Sequence, residues 1–350
     1  MIKVMHVLNT GKYSGAENVV ITLINATKAN VDATYVSLDG EIRDYLSEND
    51  IKFEAIDKLV VQEIKRVIKR VHPDIIHAHD FTAGIICSAA TSIPVINHLH
   101  NNSPWLRRYN LRGVVYGMSC LRYKKILTVS EAVMNEYVLG GMFKKKNVVV
   151  GNPVDVNRIR GLASVENVIT EEYDIAFLGR LSAAKNPLFF LDIVKEIKKK
   201  IPGIRVIMIG DGELKEDIVR KIESDNLEPN INLVGFQKNP YNFLKHAKIL
   251  LMPSAWEGYG LAAAEALALG VPVVCSNVGG LPQIVDESCG QICSQLEEYC
   301  DAIICLLMNE EMYKDKVVCA KDKANKIGDV EKYADRIEKT YREIMLKGNV

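Results

Sequence analysis

The sequence lacks the features that assign many proteins to a class at once. Its 44 basic and 44 acidic side chains cancel, so no net charge draws the chain to nucleic acid. No apolar run reaches the roughly 18 residues that a membrane-spanning helix requires. None of its eight cysteines forms a C-x-x-C pair. With 48% apolar and 25% charged residues, the composition instead indicates an ordinary globular protein with no nucleic-acid partner.

The cysteines and the opening segment bear on location. Five of the eight cysteines fall between Cys289 and Cys319, which admits a metal site, but small side chains packed in a helical region explain them better. The opening MIKVMHVLNTGKYSG is apolar over too short a stretch for a signal peptide and indicates a first strand. We therefore expect reduced thiols and a cytoplasmic protein.

Strand-like and helix-like segments alternate along the 350 residues, a length that suits two domains. This alternation predicts parallel sheets covered by helices, that is, an α/β fold of two doubly wound Rossmann-like domains facing a cleft. The rhythm stops in a polar, irregular stretch and resumes at YDIAFLGRL. We predict a first domain over residues 1–153, a linker over 154–172, a second domain over 173–328, and a last helix over 329–350 that packs across the domain boundary.

Two glycines, Gly11 and Gly15, follow the first strand and precede a helix. Such a loop lets the backbone approach a ligand, and the helix N-terminus favours an anion. Asp39 ends the next strand, as the ribose-binding acid of a dinucleotide site would, so an NAD-dependent oxidoreductase is one alternative. Against it, the spacing is not G-x-G-x-x-G, and Asp39 lies 28 residues after Gly11 rather than about 20.

The second domain opens with FLGRLSAAKNP, in which Arg180 and Lys185 share one strand-to-helix loop. Arginine offers a planar fork and lysine a point charge, and both lie beside a helix N-terminus. This combination favours a diphosphate ligand.

The segment SAWEGYGLAAAEALALG holds two carboxylates, Glu257 and Glu265, in an otherwise apolar stretch. A lone carboxylate in such surroundings needs a partner. The glycines at 258 and 260 form the loop that enters a helix, where free amides can bind phosphate or sugar oxygens. Since carboxylates accept hydrogen bonds from vicinal hydroxyls, the segment suits a sugar and a ribose.

Motifs in a fixed order now point to a family. SGAE, DIIHAHD, PVINHLHN, TVSE, GNPVD, GRLSAAKNP, GDG and LVGFQKN precede PSAWEGYGLAAAEALALGVPVVCSNVGGLPQIV. They resemble the retaining glycosyltransferases of family 4, which carry an E-x7-E block, and the resemblance covers nearly the whole chain. It implies the GT-B fold, an acceptor-side first domain and a nucleotide-sugar donor held mainly by the second domain.

The resemblance also implies roles for particular residues. Arg180 and Lys185 match the diphosphate-binding pair. Glu265 matches the glutamate that holds the ribose hydroxyls, and Glu257 the one that faces the donor sugar. His100 matches a histidine near that sugar, with His98 as second choice, whereas the histidines of HAHD, His77 and His79, suit packing or the acceptor side. The remaining donor contacts would be Gly15, Val234, Gly235, Phe236, Gly258, Tyr259, Gly260 and Leu261.

The chemistry that follows is electrostatic. Negative charge grows on the leaving phosphate, and Arg180, Lys185 and helix-terminus amides would stabilise it. Many nucleotide-sugar enzymes use Mg²⁺ bound by D-x-D, but the sequence contains no such motif, so we expect no metal and no cofactor. Retention of configuration rests on the resemblance alone. We expect the nucleotide to be UDP. A further alternative for the function is a non-catalytic sensor of nucleotide sugars.

No acidic residue lies between Asp80 and Glu131. Basic and aromatic side chains mix in residues 104–125, a composition that suits anionic lipid head groups. A soluble acidic acceptor or a plain surface helix would explain it too. Since such segments in the family often serve lipid-carried acceptors of capsule, O-antigen or exopolysaccharide assembly, we expect a glycan or lipid-linked acceptor and peripheral contact with the inner face of the plasma membrane.

Overall fold

The computed structural model describes residues 1–165 and 171–347. Residues 1–153 and the described part of 329–350 form one compact unit, and residues 154–328 form a second. The stretch predicted to be an irregular linker contains a helix at Val156–Ser164, so that prediction is wrong there. Asp155 accepts a hydrogen bond from the Arg158 amide and caps this helix. Residues 166–170 of the predicted linker lie outside the described residues.

Parallel strands build the sheet of the first unit, in the order β3-β2-β1-β4-β5-β6-β7. The central strands are apolar and buried, as expected for a parallel sheet covered on both faces. The strands are β1 (Ile2–Val7), β2 (Val31–Leu38), β3 (Lys52–Ile56), β4 (Ile75–His79), β5 (Val95–Leu99), β6 (Lys125–Thr128) and β7 (Asn147–Val149). The helices between them are α1 (Gly15–Thr27), α2 (Ile42–Glu48), α3 (Val61–Val71), α4 (Asp80–Ala90), α5 (Leu111–Arg122) and α6 (Glu131–Asn135), with 3₁₀ turns at Pro104–Arg107 and Gly140–Phe143.

The sheet of the second unit has the order β10-β9-β8-β11-β12-β13, again with parallel pairing. Its strands are β8 (Tyr173–Leu178), β9 (Val206–Ile209), β10 (Ile231–Gly235), β11 (Ala247–Met252), β12 (Val273–Ser276) and β13 (Gly290–Cys293). Its helices are α7 (Val156–Ser164), α8 (Pro187–Lys200), α9 (Lys215–Ser224), α10 (Tyr241–Leu244), α11 (Leu261–Leu269), α12 (Leu281–Ile284), α13 (Leu296–Met308) and α14 (Glu310–Ile327).

The last helix, α15 (Val330–Lys347), belongs to the first unit and packs on α1. The Asn30 amide donates to the Glu338 carboxylate at 3.0 Å, and the Tyr341 hydroxyl lies 2.6 Å from His77 Nδ1. The end of the chain therefore completes the first unit. The predicted α/β architecture of two doubly wound, Rossmann-like sheets is confirmed.

Candidate functional site

The second sheet has a topological switch point between β8 and β11, because the chain leaves β8 toward β9 on one side and returns as β11 on the other. Ligands of open parallel sheets bind outside the carboxyl ends of the strands at this point. The loop after β8 and the loop after β11 meet there. The backbone amides of Ala255 and Trp256 donate to the carbonyl of Ala184, at 2.9 and 3.4 Å.

These two loops contain three of the charged residues singled out in the sequence. The Lys185 ammonium forms an ion pair with the Glu257 carboxylate, and both side chains are half-buried. Arg180 follows Gly179 in the same loop as Lys185 and is exposed. The edge of the sheet therefore holds one solvent-facing cation and one cation that a carboxylate partly neutralises.

Glycines shape the loop around Glu257. A Cβ atom on Gly279 would lie 1.6 Å from the Glu257 carbonyl oxygen, and one on Gly280 would lie 2.6 Å from that of Tyr259. Gly260 has a φ of +106°, which residues with side chains rarely adopt. The sequence contains this Gly-Gly pair, but its contact with the Glu257 loop depends on β12 lying beside β11, which periodicity does not show.

Glu265 lies on α11, which begins at Leu261 as predicted. The Tyr241 hydroxyl donates to its Oε1 atom at 3.1 Å. Burial raises the pKa of this carboxyl to about 7, against the opposing effects of that hydrogen bond and of the Lys185 and Arg158 charges. Sequence reasoning missed Tyr241 and Arg158, since α10 and α7 supply them from far along the chain.

Three of the predicted donor contacts, Val234, Gly235 and Phe236, lie at the end of β10, on the same edge of the sheet. Gly235 has a φ of +71° at an irregularity in the strand, and the Gln237 side chain donates to the Val234 carbonyl at 2.8 Å. Phe236 follows with 65% of its surface exposed. An exposed aromatic ring at this position is suited to stacking on a planar base.

Two predicted site residues, Gly15 and His100, lie in the first unit. Gly15 starts α1 directly after Ser14, whose hydroxyl donates to the buried Glu17 carboxylate at 2.5 Å. His100 follows β5, and its backbone amide donates to Asp80 Oδ1 at 3.3 Å. Burial lowers the pKa of His100 to about 4 and raises that of Asp80 to about 6.

His100 belongs to a histidine layer, which we define as His6, His77, His79, His98 and His100. All five lie on β1, β4 and β5 or directly after β5. Their ring centroids are 4.3 to 5.6 Å apart in seven pairs, of which five are stacked and two are tilted. His6 Nδ1 lies 3.1 Å from His79 Nε2, and His79 Nδ1 lies 2.9 Å from His100 Nε2. His77 and His79 are fully or almost fully buried.

The groups able to hold a metal within the described ranges consist of histidines of this layer. The cysteines between Cys289 and Cys319 are absent from those groups, and three of them (Cys289, Cys293 and Cys300) are buried.

The two residues of the alternative dinucleotide motif, Gly11 and Asp39, form contacts within the chain. Asp39 pairs with Arg43 at 2.7 Å, and a Cβ atom on Gly11 would collide with the Asp39 carbonyl.

The acid-free segment forms an outward apolar stripe, which we define as Leu111, Val114, Val115, Met118 and Leu121 of α5. Leu111 is 79% exposed, Met118 65% and Leu121 66%. Arg108 and Arg112 are exposed next to the stripe, whereas Arg107 pairs with Glu136 at 2.9 Å. Among the described residues, we find no helix with the length and apolar character needed to cross a bilayer.

Comparison with known proteins supplies the family. Residues 13–158 match the family Glycosyltransferase Family 4, and residues 162–321 match Glycosyl transferases group 1. The chain is 27% identical over 303 residues to a capsular polysaccharide biosynthesis glycosyltransferase of Staphylococcus aureus, covering 79% of this chain and 82% of that protein. It is 24% identical over 306 residues to an Escherichia coli UDP-Gal:alpha-D-GlcNAc-diphosphoundecaprenol alpha-1,3-galactosyltransferase, covering 80% and 78%.

Solved structures share the fold. Anabaena HepE in complex with UDP superimposes with a TM-score of 0.85 at 19% sequence identity, over 98% of this chain and all of that one.

Proposed function

This chain is a glycosyltransferase of the group 1 and family 4 type, and we propose that it transfers a sugar from a UDP-sugar, with retention of configuration, to a glycan or lipid-linked acceptor of polysaccharide biosynthesis. The observation that carries the proposal is that the loop with Arg180 and Lys185 meets the loop leading into α11 at the switch point of the second sheet, where Lys185 pairs with Glu257. The named relatives are a capsule enzyme and a galactosyltransferase that uses UDP-Gal.

Each part of a nucleotide sugar has a group here that suits it. The diphosphate would displace Glu257 from Lys185 and would also bind the exposed Arg180. These two side chains and the α11 amides would then balance its charge. Glu265 would accept the ribose hydroxyls. Phe236 would stack on the base, and Glu257, once released from Lys185, would face the sugar.

The leaving diphosphate gains charge in the transition state, and two cations with a helix N-terminus stabilise that charge. On this account the diphosphate needs no metal ion. Gly15 and His100 stay predictions from the family resemblance for contact with the donor.

We further propose that the chain binds anionic membrane surfaces through the apolar stripe of α5. Large apolar side chains at positions 111, 114, 115, 118 and 121 share one helical face and point outward instead of into the core. Arg108 and Arg112 beside them are suited to lipid phosphates. Such a helix would lie in the interface between head groups and acyl chains.

A nucleotide panel tests the donor proposal. Thermal denaturation of the full chain in a chelating buffer should show a higher melting temperature with UDP, or with GDP if that is the base, than with NAD. A screen of nucleotide sugars should then show release of the nucleoside diphosphate from one of them. Binding without any release or transfer would identify a sensor instead of an enzyme, and stabilisation by NAD alone would contradict the proposal.

A further inference from the structure

The histidine layer contains nitrogen atoms that hydrogen bonding within the described residues leaves unsatisfied. Both ring nitrogens of His98 are buried and have no partner there, and the same holds for His6 Nε2, His77 Nε2 and His100 Nδ1. His98 is 0% exposed. Leaving a buried polar group without a partner is unfavourable, so several such nitrogens in one layer point to a bound ligand that satisfies them.

The pattern that places these rings together is a pair of H-x-H motifs on neighbouring strands. His77 and His79 belong to HAH in β4, and His98 and His100 to HLH in and after β5. Residues two apart on a strand point to the same face. The parallel register sets His79 directly opposite His98, so the two motifs converge on one face of the sheet.

We propose that His79, His98 and His100 form a binding site for one divalent transition-metal cation such as Zn²⁺. One ring nitrogen from each residue lies within 4.8 Å of the others. Imidazole nitrogen is a preferred ligand of zinc, with bonds of about 2.0–2.1 Å. Tetrahedral coordination therefore separates two ligand nitrogens by about 3.3 Å.

The observed geometry needs little change to reach that arrangement. His79 Nδ1 and His100 Nε2 are 2.9 Å apart, so a cation would replace their hydrogen bond with a separation only a few tenths of an ångström larger. His98 would supply a nitrogen that has no partner among the described residues. A water molecule would complete the four ligands, as in other sites with three histidines.

A second set, His6, His77 and His79, is also close enough to hold a metal. All three of its residues are buried, and His77 Nδ1 lies 2.6 Å from the Tyr341 hydroxyl. His100, by contrast, is only half-buried at the end of its strand, so the set that contains it lies nearer to solvent. Asp80, which accepts a hydrogen bond from the His100 backbone amide, adds negative charge beside this set. These differences favour the set that contains His98 and His100.

Calorimetric titration of the chelator-treated full chain with Zn²⁺ tests the inference, and Co²⁺ absorption reports the coordination. We expect one equivalent of Zn²⁺ per chain, a higher melting temperature, and the intense visible bands of tetrahedral Co²⁺. His98→Phe removes a ligand without breaking a hydrogen bond of the metal-free chain. It should fold normally in chelator and bind Zn²⁺ more than about 100-fold more weakly, since even indirect partners of a ligand are worth 10–100-fold.

His77→Phe is the control, because it changes another buried ring of the layer, one whose recorded hydrogen bond is to Tyr341 and not to a proposed ligand, and it should retain Zn²⁺ binding. His100→Asn, at the half-buried position, replaces His98→Phe if that variant does not fold. Absence of Zn²⁺ binding by the native chain would overturn the inference. So would loss of binding in His77→Phe with full binding in His98→Phe. UDP binding is not among its readouts, so the inference can fail while the proposed donor stands. The two proposals share His100, whose metal-bound nitrogen would not contact the donor sugar.

Discussion

Lys185 and Glu257 form an ion pair between the loop after β8 and the loop after β11. Without a bound donor, this ion pair holds the Lys185 side chain in place and lowers the attraction of Lys185 for other anions. A diphosphate carries more negative charge than one carboxylate, so it is suited to displace Glu257 and release that side chain toward the sugar. Binding of the donor would therefore move the Glu257 side chain.

Glu257→Gln separates these two roles. We expect affinity for bare UDP to stay the same or to rise a few-fold, because the diphosphate no longer competes with a carboxylate for Lys185. Sugar transfer should fall by about 100-fold or more, the scale for losing a preorganised electrostatic group. Calorimetry with UDP and turnover of the donor provide the two values. A loss of UDP affinity equal to that of Glu265→Gln would show that the two glutamates do not divide the ligand between them.

Glu265→Gln should weaken the binding of UDP and of the sugar donor alike. The change keeps the shape of the side chain but removes a charge-assisted hydrogen bond to the ribose, which is worth about 1–3 kcal/mol. Titration with UDP measures it. Unaltered binding of both ligands would mean that Glu265 serves only the packing of α11.

The pKa of Glu265, raised to about 7 from 4.5, predicts a pH dependence of stability. Between these two values the native chain keeps a proton that the unfolded chain has released, so stability falls as pH rises through this window. Glu265→Gln lacks this loss. The variant should match the wild type near pH 4.5 and exceed it at pH 8, by on the order of 2–3 kcal/mol in denaturant unfolding. A constant difference between the two proteins at every pH would contradict the assigned pKa.

Gly279→Ala tests whether the glycine pair supports the Glu257 loop. The new methyl group would lie 1.6 Å from the Glu257 carbonyl oxygen, and the φ of +57° adds backbone strain. We expect weaker UDP-sugar binding and a lower melting temperature. Gly141→Ala is the control, because a Cβ atom there has no neighbour within 4 Å. Equal effects of the two substitutions would exclude a specific supporting role.

We expect binding to anionic membranes to depend on the apolar stripe of α5. Wild-type protein should sediment with vesicles that contain anionic lipid. Leu111→Ser with Leu121→Ser should reduce sedimentation at every salt concentration, since each buried leucine contributes about 1.5–3 kcal/mol. Arg108→Ser with Arg112→Ser should reduce it chiefly at low salt, where charge attraction is not screened. Equal sedimentation of all three proteins would contradict the proposal.

The site residues predicted from the sequence are those that lie close to one another along the chain. Arg180 and Lys185 share one loop, and Glu257 and Glu265 flank one glycine turn, so local reasoning reaches them. The Tyr241 hydroxyl reaches Glu265, and the Arg158 charge affects the pKa of Glu265, only because α10 and α7 pack against α11. Long-range packing of this kind leaves no periodic signal.

Two elements give little signal in the sequence. β13 is a four-residue edge strand, GQIC, in which only two of the four residues are apolar. Helix α7, with the sequence VNRIRGLAS, buries only Val156, Ile159 and Ala163, so its polar surface suggested an irregular linker. The histidine layer was visible as HAH and HLH, but the contribution of His6 follows from the pairing of β1 with β4.

The most direct test of the central claim is the release of UDP from a panel of UDP-sugars by the wild type and by Lys185→Ala, measured in chelator with and without added Mg²⁺. We expect the wild type to turn over one donor at a rate that Mg²⁺ does not change. Lys185→Ala should lower that rate by about 100-fold or more. Turnover that requires Mg²⁺, or a Lys185→Ala variant as fast as the wild type, would contradict the account.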